Sequence, residues 1–273
     1  MLNRRSFRWL LPALKFFRSF GLDLEGFIAA MRALPYYFSN RRRYGAQLSP
    51  GEGFPLAGSG WHFATADRFR TAAETSNHYF WQDLWAADWL FRSGLRQHVD
   101  VASRLDGFVA HLLCFCEVTY VDLRPLTAVW PTLHYVQGSI LKLPFADGSI
   151  MSLSCLHVLE HIGLGRYGDP VDPSAYRQAA GELSRVLAIG GVLLLGVPVG
   201  RERLCFDAHR VFDPATVEAI FKPLQLQEFN VIPDRADRVV YNAGFDEARQ
   251  NSFACGLFVF RRLEDGDQAG GGR

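Results

Sequence analysis

Two short stretches carry side chains suited to chemistry. SCLHVLEHI (154–162) holds His157, Glu160 and His161, and CFDAHRVF (205–212) holds Asp207, His209 and Arg210. An imidazole titrates near neutral pH and is a natural general base. We therefore expect His209, His161 and His157 to be the catalytic candidates, with Asp207 orienting His209 and Arg210 meeting an anionic substrate group. Two histidines and a glutamate are also metal-ligand types. Their spacing is not specific to a metal, and the chain has no CxxC pair, so no metal is expected.

A third stretch, HVDVASRLDGF (98–108), starts as a strand and runs into a turn. A nucleotide-binding turn at this place is usually rich in glycine, which permits positive φ and close approach of a ligand to the backbone. Here only Gly107 is a glycine. Asp122 follows Asp100 by 22 residues and closes the next strand. That distance suits an acid accepting hydrogen bonds from both hydroxyls of a ribose.

The elements that must position these groups alternate. Strands are expected at 97–103, 116–125, 133–140, from 149 into the loop before 162, at 191–199, and in LQLQEFNVIP and NSFACGLFVFRRL. Helices are expected at 107–113, at 174–188 with a stop at Gly190 and Gly191, and at 213–224 with Asp213 as cap and Pro214 in the first turn. A helix before the first strand should bury one face and end at Gly94. This order predicts an α/β fold: a doubly wound, Rossmann-like, mostly parallel seven-stranded sheet with helices on both faces. Ligands then bind beyond the carboxyl ends of the strands, where strand order reverses.

The rest of the chain suggests an appendage. Residues 1–45 read as helical, interrupted at Pro12 and Pro35, and 46–62 as a Gly/Pro-rich linker. We expect a basic N-terminal extension (1–62), the main domain (63–263) and a disordered tail (264–273). Residues 1–50 carry nine basic against two acidic side chains, in a 273-residue chain of net charge +1. The extension therefore either packs on the acidic remainder or meets an anionic surface. No run reaches the roughly 18 apolar residues of a membrane span, and the start is a poor fit to a secretory signal. The five cysteines follow no disulfide pattern. We expect a reducing, cytoplasmic setting, with peripheral contact at the inner membrane face through the basic N-terminus.

One pair of segments resembles a known family. Gly138, Leu143-Pro144-Phe145, Asp147 and Ser149, followed by a strand and Val158-Leu159-Glu160-His161, look like the class I S-adenosylmethionine-dependent methyltransferases, type 11-like. HYFWQDLWAA, HVDVASRLDGF, HVLEHIGLGRYGDP and GVPVG with FDAHRVF resemble an uncharacterised branch, a domain of unknown function, over about residues 75–232. The resemblance implies S-adenosyl-L-methionine as cofactor. It places Asp100, Ala102, Ser103, Arg104, Gly107, Asp122, Leu123, Ser139, Ile140 and Leu156 around it. Ala102, Arg104 and Asp106 stand at or near the family's glycine positions, and Ser139 where an acid is usual. Arg104 suits the carboxylate of the methionine moiety, and Gly107 offers its N–H to the same group. On the acceptor side the resemblance puts Tyr79 or Gln82 at the methyl pocket, and Arg166, in the glycine-hinged loop GLGRYGDP, is expected to close over substrate beside Asp207 and Arg210.

The expected activity is O-methylation of a sugar or other small hydroxylated acceptor in surface-glycan metabolism. The alternative is a non-catalytic binding or scaffold protein that keeps the fold. A nucleic-acid partner is not expected, because the chain lacks a basic footprint.

Overall fold

A computed structural model describes residues 20–48, 56, 63, 65, 68–69, 77–206 and 208–264. The chain divides into two units, residues 1–74 and 75–273. Asp207 and the tail beyond residue 264 lie outside the described residues, as do the first 19 residues and most of 49–76.

Among the described residues the first unit holds one long helix, α1 (Leu24–Gln47). Asp23 caps it by accepting from the Gly26 N–H at 3.1 Å. Pro35 lies inside α1 and does not end it, contrary to the sequence expectation. A proline costs a helix one hydrogen bond, and the 24-residue helix absorbs that loss. Among the described residues no helix is long and apolar enough to cross a membrane.

The second unit opens with α2 (His78–Ser93), capped by Asn77 and closed by Gly94 in the left-handed region. The strands are β1 (Gln97–Val101), β2 (Glu117–Asp122), β3 (Leu133–Gln137), β4 (Ile150–Leu156), β5 (Leu187–Val199), β8 (Gln225–Ile232) and β9 (Ala254–Arg261). They form one sheet in the order β3-β2-β1-β4-β5-β9-β8. Only β9 runs antiparallel to its neighbours. A π-helical turn (Leu105–Val109) and α3 (Ala110–Leu112) follow β1. A 3₁₀ turn (Leu159–His161) follows β4, and α4 (Ala175–Val186), α5 (Pro214–Ile220) and α6 (Phe245–Arg249) come later. Asp213 caps α5 ahead of Pro214, as the sequence predicts.

Two apolar layers sandwich the sheet. Trp85, Leu90, Phe108 and Leu112 cover one face. Leu183, Val186, Val217 and Phe221 cover the other. The central strands read as continuous apolar runs because both of their faces are buried. Strand order reverses between β1 and β4, so the crevice opens at their carboxyl ends.

Two elements differ from expectation. β5 starts at Leu187, and the glycines expected to stop the preceding helix sit inside the strand. Gly190 has φ +76°, and the register against β4 shifts there, so it makes a bulge and not a stop. The segment after β5 folds into a hairpin, β6 (Arg203–Cys205) with β7 (His209–Val211).

Candidate active site

The crevice is built on a seam between two strand ends. β1 and β4 pair in parallel, Asp100 opposite Ser154. Each leaves the sheet through a non-glycine residue in the left-handed region, Ala102 at φ 57° and His157 at φ 54°. Asp100 is fully buried beneath the first turn. Its carboxylate accepts from Ser103 N–H at 2.9 Å and Ser103 Oγ at 2.6 Å, and from Ser154 Oγ. Ser103 Oγ in turn accepts from Leu156 N–H at 3.1 Å. Burial raises the Asp100 pKa to about 6, against the opposing effect of the serine bonds. His98 bridges Ser152 Oγ and Ser154 Oγ at 2.7 Å each, and burial lowers its pKa to about 3. Asp100 therefore fastens the first turn to β4 and does not line the crevice, which corrects its expected cofactor contact.

Above the seam lies a cleft of about 490 Å³. Its wall includes Ala102, Ser103, Arg104, Asp122, Leu123, Ser139, Ile140 and Leu156. Gly107 is not among the wall residues. A Cβ there would fall 2.1 Å from Asp83 Oδ2, so Gly107 serves the close approach of α2. Gln82 is buried too, donating to Asp83 Oδ1 at 3.3 Å and reaching Cys255, and it bounds neither cavity of the site. Both corrections have one cause: the buried face of α2 carries Gln82 and Asp83 alongside Trp85 and Leu90.

The wall also holds residues that sequence reasoning passed over. Arg124 grips the Asp122 carboxylate through Nε at 3.1 Å and Nη2 at 2.9 Å. Tyr120 donates to Asp122 Oδ2 at 3.2 Å. Burial alone would raise the Asp122 pKa. The bonds from Arg124 outweigh it and hold the carboxyl below its usual range. Arg104 pairs with Asp106 at 3.1 and 2.8 Å and lies over the Tyr79 ring at 4.7 Å. Ser139 Oγ accepts from Leu141 N–H at 3.2 Å, closing the turn after β3.

A second cavity, about 330 Å³, adjoins the first. Its wall includes His78, Glu160, His209, Asp234 and Phe253. Tyr79, His157 and His161 belong to both walls. Asp234 and Phe253 come from the chain between β8 and β9, beyond the segments whose sequence stood out.

The three histidines differ in state. His157 Nδ1 lies 2.8 Å from Glu160 Oε1. Burial opposes a charge on His157, but Cys255 and Glu160 beside it outweigh burial and raise its pKa well above the usual value. His157 and Glu160 thus form a buried pair. His157 Nε2 and Glu160 Oε2 have no hydrogen-bond partner among the described residues. His161 Nδ1 lies 2.7 Å from the Ala208 carbonyl. A carbonyl only accepts, so Nδ1 carries a proton, and Nε2 lies 3.7 Å from Glu160 Oε1. Burial lowers the His209 pKa, partly offset by Glu160, which favours the neutral ring. Burial and His157 lower the pKa of His78 to about 4.

Both arginines expected at the acceptor lie outside the two walls. Arg210 donates to the Ile162 carbonyl at 2.6 Å and covers the Tyr176 ring at 4.9 Å, which pins the 3₁₀ turn. Arg166 donates to the Ala208 carbonyl at 2.8 Å. The carbonyls of Glu160, Ile162 and Pro173 hold Arg210 away from the cavities, whereas Arg166 spends only one of its donors on Ala208. Among the described residues no group of three metal-ligating side chains is close enough to hold an ion.

Comparison with known proteins agrees with this architecture. A family model described as "Caenorhabditis protein of unknown function, DUF268" matches residues 148–232, less than half of the chain. No curated protein matches by sequence. Among solved structures, 1,6-didemethyltoxoflavin-N1-methyltransferase of Burkholderia thailandensis, with 1,6-didemethyltoxoflavin and S-adenosylhomocysteine bound, is 14% identical at TM-score 0.50. That match covers 67% of this chain and 79% of that one. The [4+2]-cyclase SpnF is 13% identical at TM-score 0.50, covering 68% and 88%. N-methyltransferase NodS of Bradyrhizobium japonicum, with S-adenosylhomocysteine, is 20% identical at TM-score 0.46, covering 70% and 95%. At such identities the likeness shows the fold alone: the sheet unit has the class I methyltransferase fold.

Proposed function

We propose that this protein is an S-adenosylmethionine-dependent methyltransferase acting on a small hydroxylated acceptor, with a neutral sugar the class that fits best. The observation that carries the reading is the meeting of two cavities at His157, His161 and Tyr79. The larger one, at about 490 Å³, lies in the range of roughly 300–1,000 Å³ of small-molecule sites.

The residues present suit the cofactor. Left-handed Ala102 provides the backbone turn that glycine provides in the family motif. Asp122 stands at the ribose position, Ile140 and Leu156 offer apolar surface to a base, and the Arg104 fork suits a carboxylate. The bound cofactor supplies an electrophilic methyl group. The protein's own part is alignment and proton removal. His161 Nε2, its tautomer held by the Ala208 carbonyl, accepts the acceptor's hydroxyl proton, and the Glu160 carboxylate stabilises the resulting imidazolium. His209 and Phe253, whose ring centroids lie 4.9 Å apart, form one aromatic patch of the cavity wall, a surface that suits the apolar face of a sugar. Among the described residues the cavity wall carries carboxylates of Glu160 and Asp234 and no lysine or arginine, which disfavours phosphorylated acceptors. Surface-glycan metabolism at the inner membrane face fits the basic N-terminus.

A second reading, a binding protein that keeps the fold without turnover, draws on one observation: Arg124 and Asp106 already occupy the polar groups meant for the ligand. A mass-spectrometric screen separates the two. With S-adenosylmethionine and a panel of neutral sugars, an enzyme yields a product heavier by one methyl group. Cofactor binding with no product across neutral, phosphorylated and aromatic acceptors favours the binding protein.

A further inference from the structure

Asp122 closes β2 at the place where a ribose diol is taken, yet its carboxylate is full. Oδ1 accepts from Arg124 N–H at 2.8 Å and Arg124 Nε at 3.1 Å. Oδ2 accepts from Arg124 Nη2 at 2.9 Å and Tyr120 OH at 3.2 Å. A carboxylate offers about four lone-pair sites; Arg124 holds three of them, and the Tyr120 OH, shared with the Ser103 carbonyl at 3.1 Å, reaches the fourth. A diol brings two donors and finds no free site on Oδ1.

The four donors are not equally fixed. The Arg124 N–H belongs to the backbone beyond the strand, and Tyr120 is buried, its OH also within 3.1 Å of the Ser103 carbonyl. The Arg124 side chain is 57% exposed and is free to swing into solvent. Its departure would vacate one site on Oδ1 and one on Oδ2. That pair of vacancies, one on each oxygen, is what a vicinal diol donating to both oxygens requires.

We infer that the Arg124 guanidinium is a built-in occupant of the ribose subsite, which an adenosine must displace, so that Arg124 sets the affinity of the cleft for its cofactor. The inference rests on the adenosyl-binding reading above. It accounts for the apparent defect of this cleft without making it a closed one. The guanidinium lies 5.1 Å from the Tyr167 ring, and that ring meets His161 edge-on at 5.5 Å. Release of the latch is therefore felt at the loop next to the proposed base.

The test compares two probes on the full chain, adenosine and 2′,3′-dideoxyadenosine, by calorimetry, with S-adenosylhomocysteine as a third ligand. The pair is half-exposed, with its arginine at the surface and its carboxylate buried, and such a pair is worth on the order of 1 kcal/mol, so Arg124→Ala should tighten adenosine and S-adenosylhomocysteine about fivefold and leave dideoxyadenosine unchanged. In wild type, added salt should loosen the latch and raise adenosine affinity, an effect absent from the variant. Should Arg124→Ala fold poorly, Tyr167→Ala keeps the Asp122–Arg124 pair, removes the ring over it, and should give a smaller gain of the same sign. Weakened or unchanged adenosine binding, or an equal change for the dideoxy probe, overturns the latch. Tightening of ribose 2′-phosphate ligands by wild-type Arg124 would overturn it in favour of a phosphate contact. If neither S-adenosylhomocysteine nor adenosine binds wild type or variant, the adenosyl reading itself fails, and the latch with it.

Discussion

The carboxyl ends of β1 and β4 are neighbours that solve one backbone problem in two ways. Both strands turn out of the sheet through a left-handed non-glycine residue, Ala102 and His157, at a cost of roughly 1–2 kcal/mol each. At β1 the side chain in the strained position is a methyl group. The useful features there are backbone shape and the anchoring of Ser103 by Asp100 from below. At β4 the strained residue carries the ring that divides the two cavities and pairs with Glu160. A strand end that offers backbone to a ligand tolerates loss of glycine when the substitute is small. A strand end that offers a side chain carries strain in order to aim that side chain.

The largest effect should appear beyond the β4 end. His161→Gln should lower kcat by about 10²–10⁴-fold and change S-adenosylhomocysteine affinity far less, because the proton acceptor is lost while most of the cleft wall stays. An equal loss of binding, measured by calorimetry, would make His161 a packing residue. Next, one substitution made at both ends sharpens the contrast. His157→Gly relieves strain but leaves Glu160 as a buried, unpaired charge, and should cost about 3 kcal/mol in urea unfolding.

The foundation of the seam should respond to acid. Folded pKa values of about 3 for His98 and about 4 for His78 lie below the unfolded value. Their contribution is present above pH 6.5 and is lost as pH falls from there, because only the unfolded chain takes up those protons. Asp100, raised to about 6, acts in the opposite sense and loses stability as pH rises through that value. Two histidines against one carboxyl predict a net loss on the order of 2 kcal/mol between pH 6.5 and 4.5. His98→Gln should flatten that profile, and an unchanged slope would contradict it. Smallest of all is Ala102→Gly. The relief of strain and the added freedom of the unfolded chain nearly cancel, so stability should move by about 0.5 kcal/mol or less.

Much of this was legible in the sequence. LPF-x-D-x-S followed by VLEHI indicated the fold, and the α2 stop at Gly94 and the α5 cap at Asp213 are local signals that tertiary contacts did not override. What escaped depended on packing between distant segments. Gln82 and Gly107 read as ligand-facing from their places at a helix start and a loop, but the way α2 sits on the domain turns both inward. Asp100 was found in the right place and given the wrong neighbour, since only the pairing of β1 with β4 brings Ser154 to it. Arg210 was read as free charge, and the 3₁₀ turn claims it. Asp234 and Phe253 reach the second cavity from a part of the chain with no motif, so no spacing rule pointed to them. Arg124 was visible two residues past Asp122, but i,i+2 pairing at a strand end carries no recognised signal.

The most direct check of the central claim is calorimetric titration of the full chain with S-adenosylhomocysteine, beside Asp122→Ala. The account predicts a single site with Kd on the order of 10 µM in wild type, weakened at least about tenfold when the ribose carboxylate is removed. No heat and no thermal stabilisation from well-folded protein, or equal affinity in the variant, would contradict it.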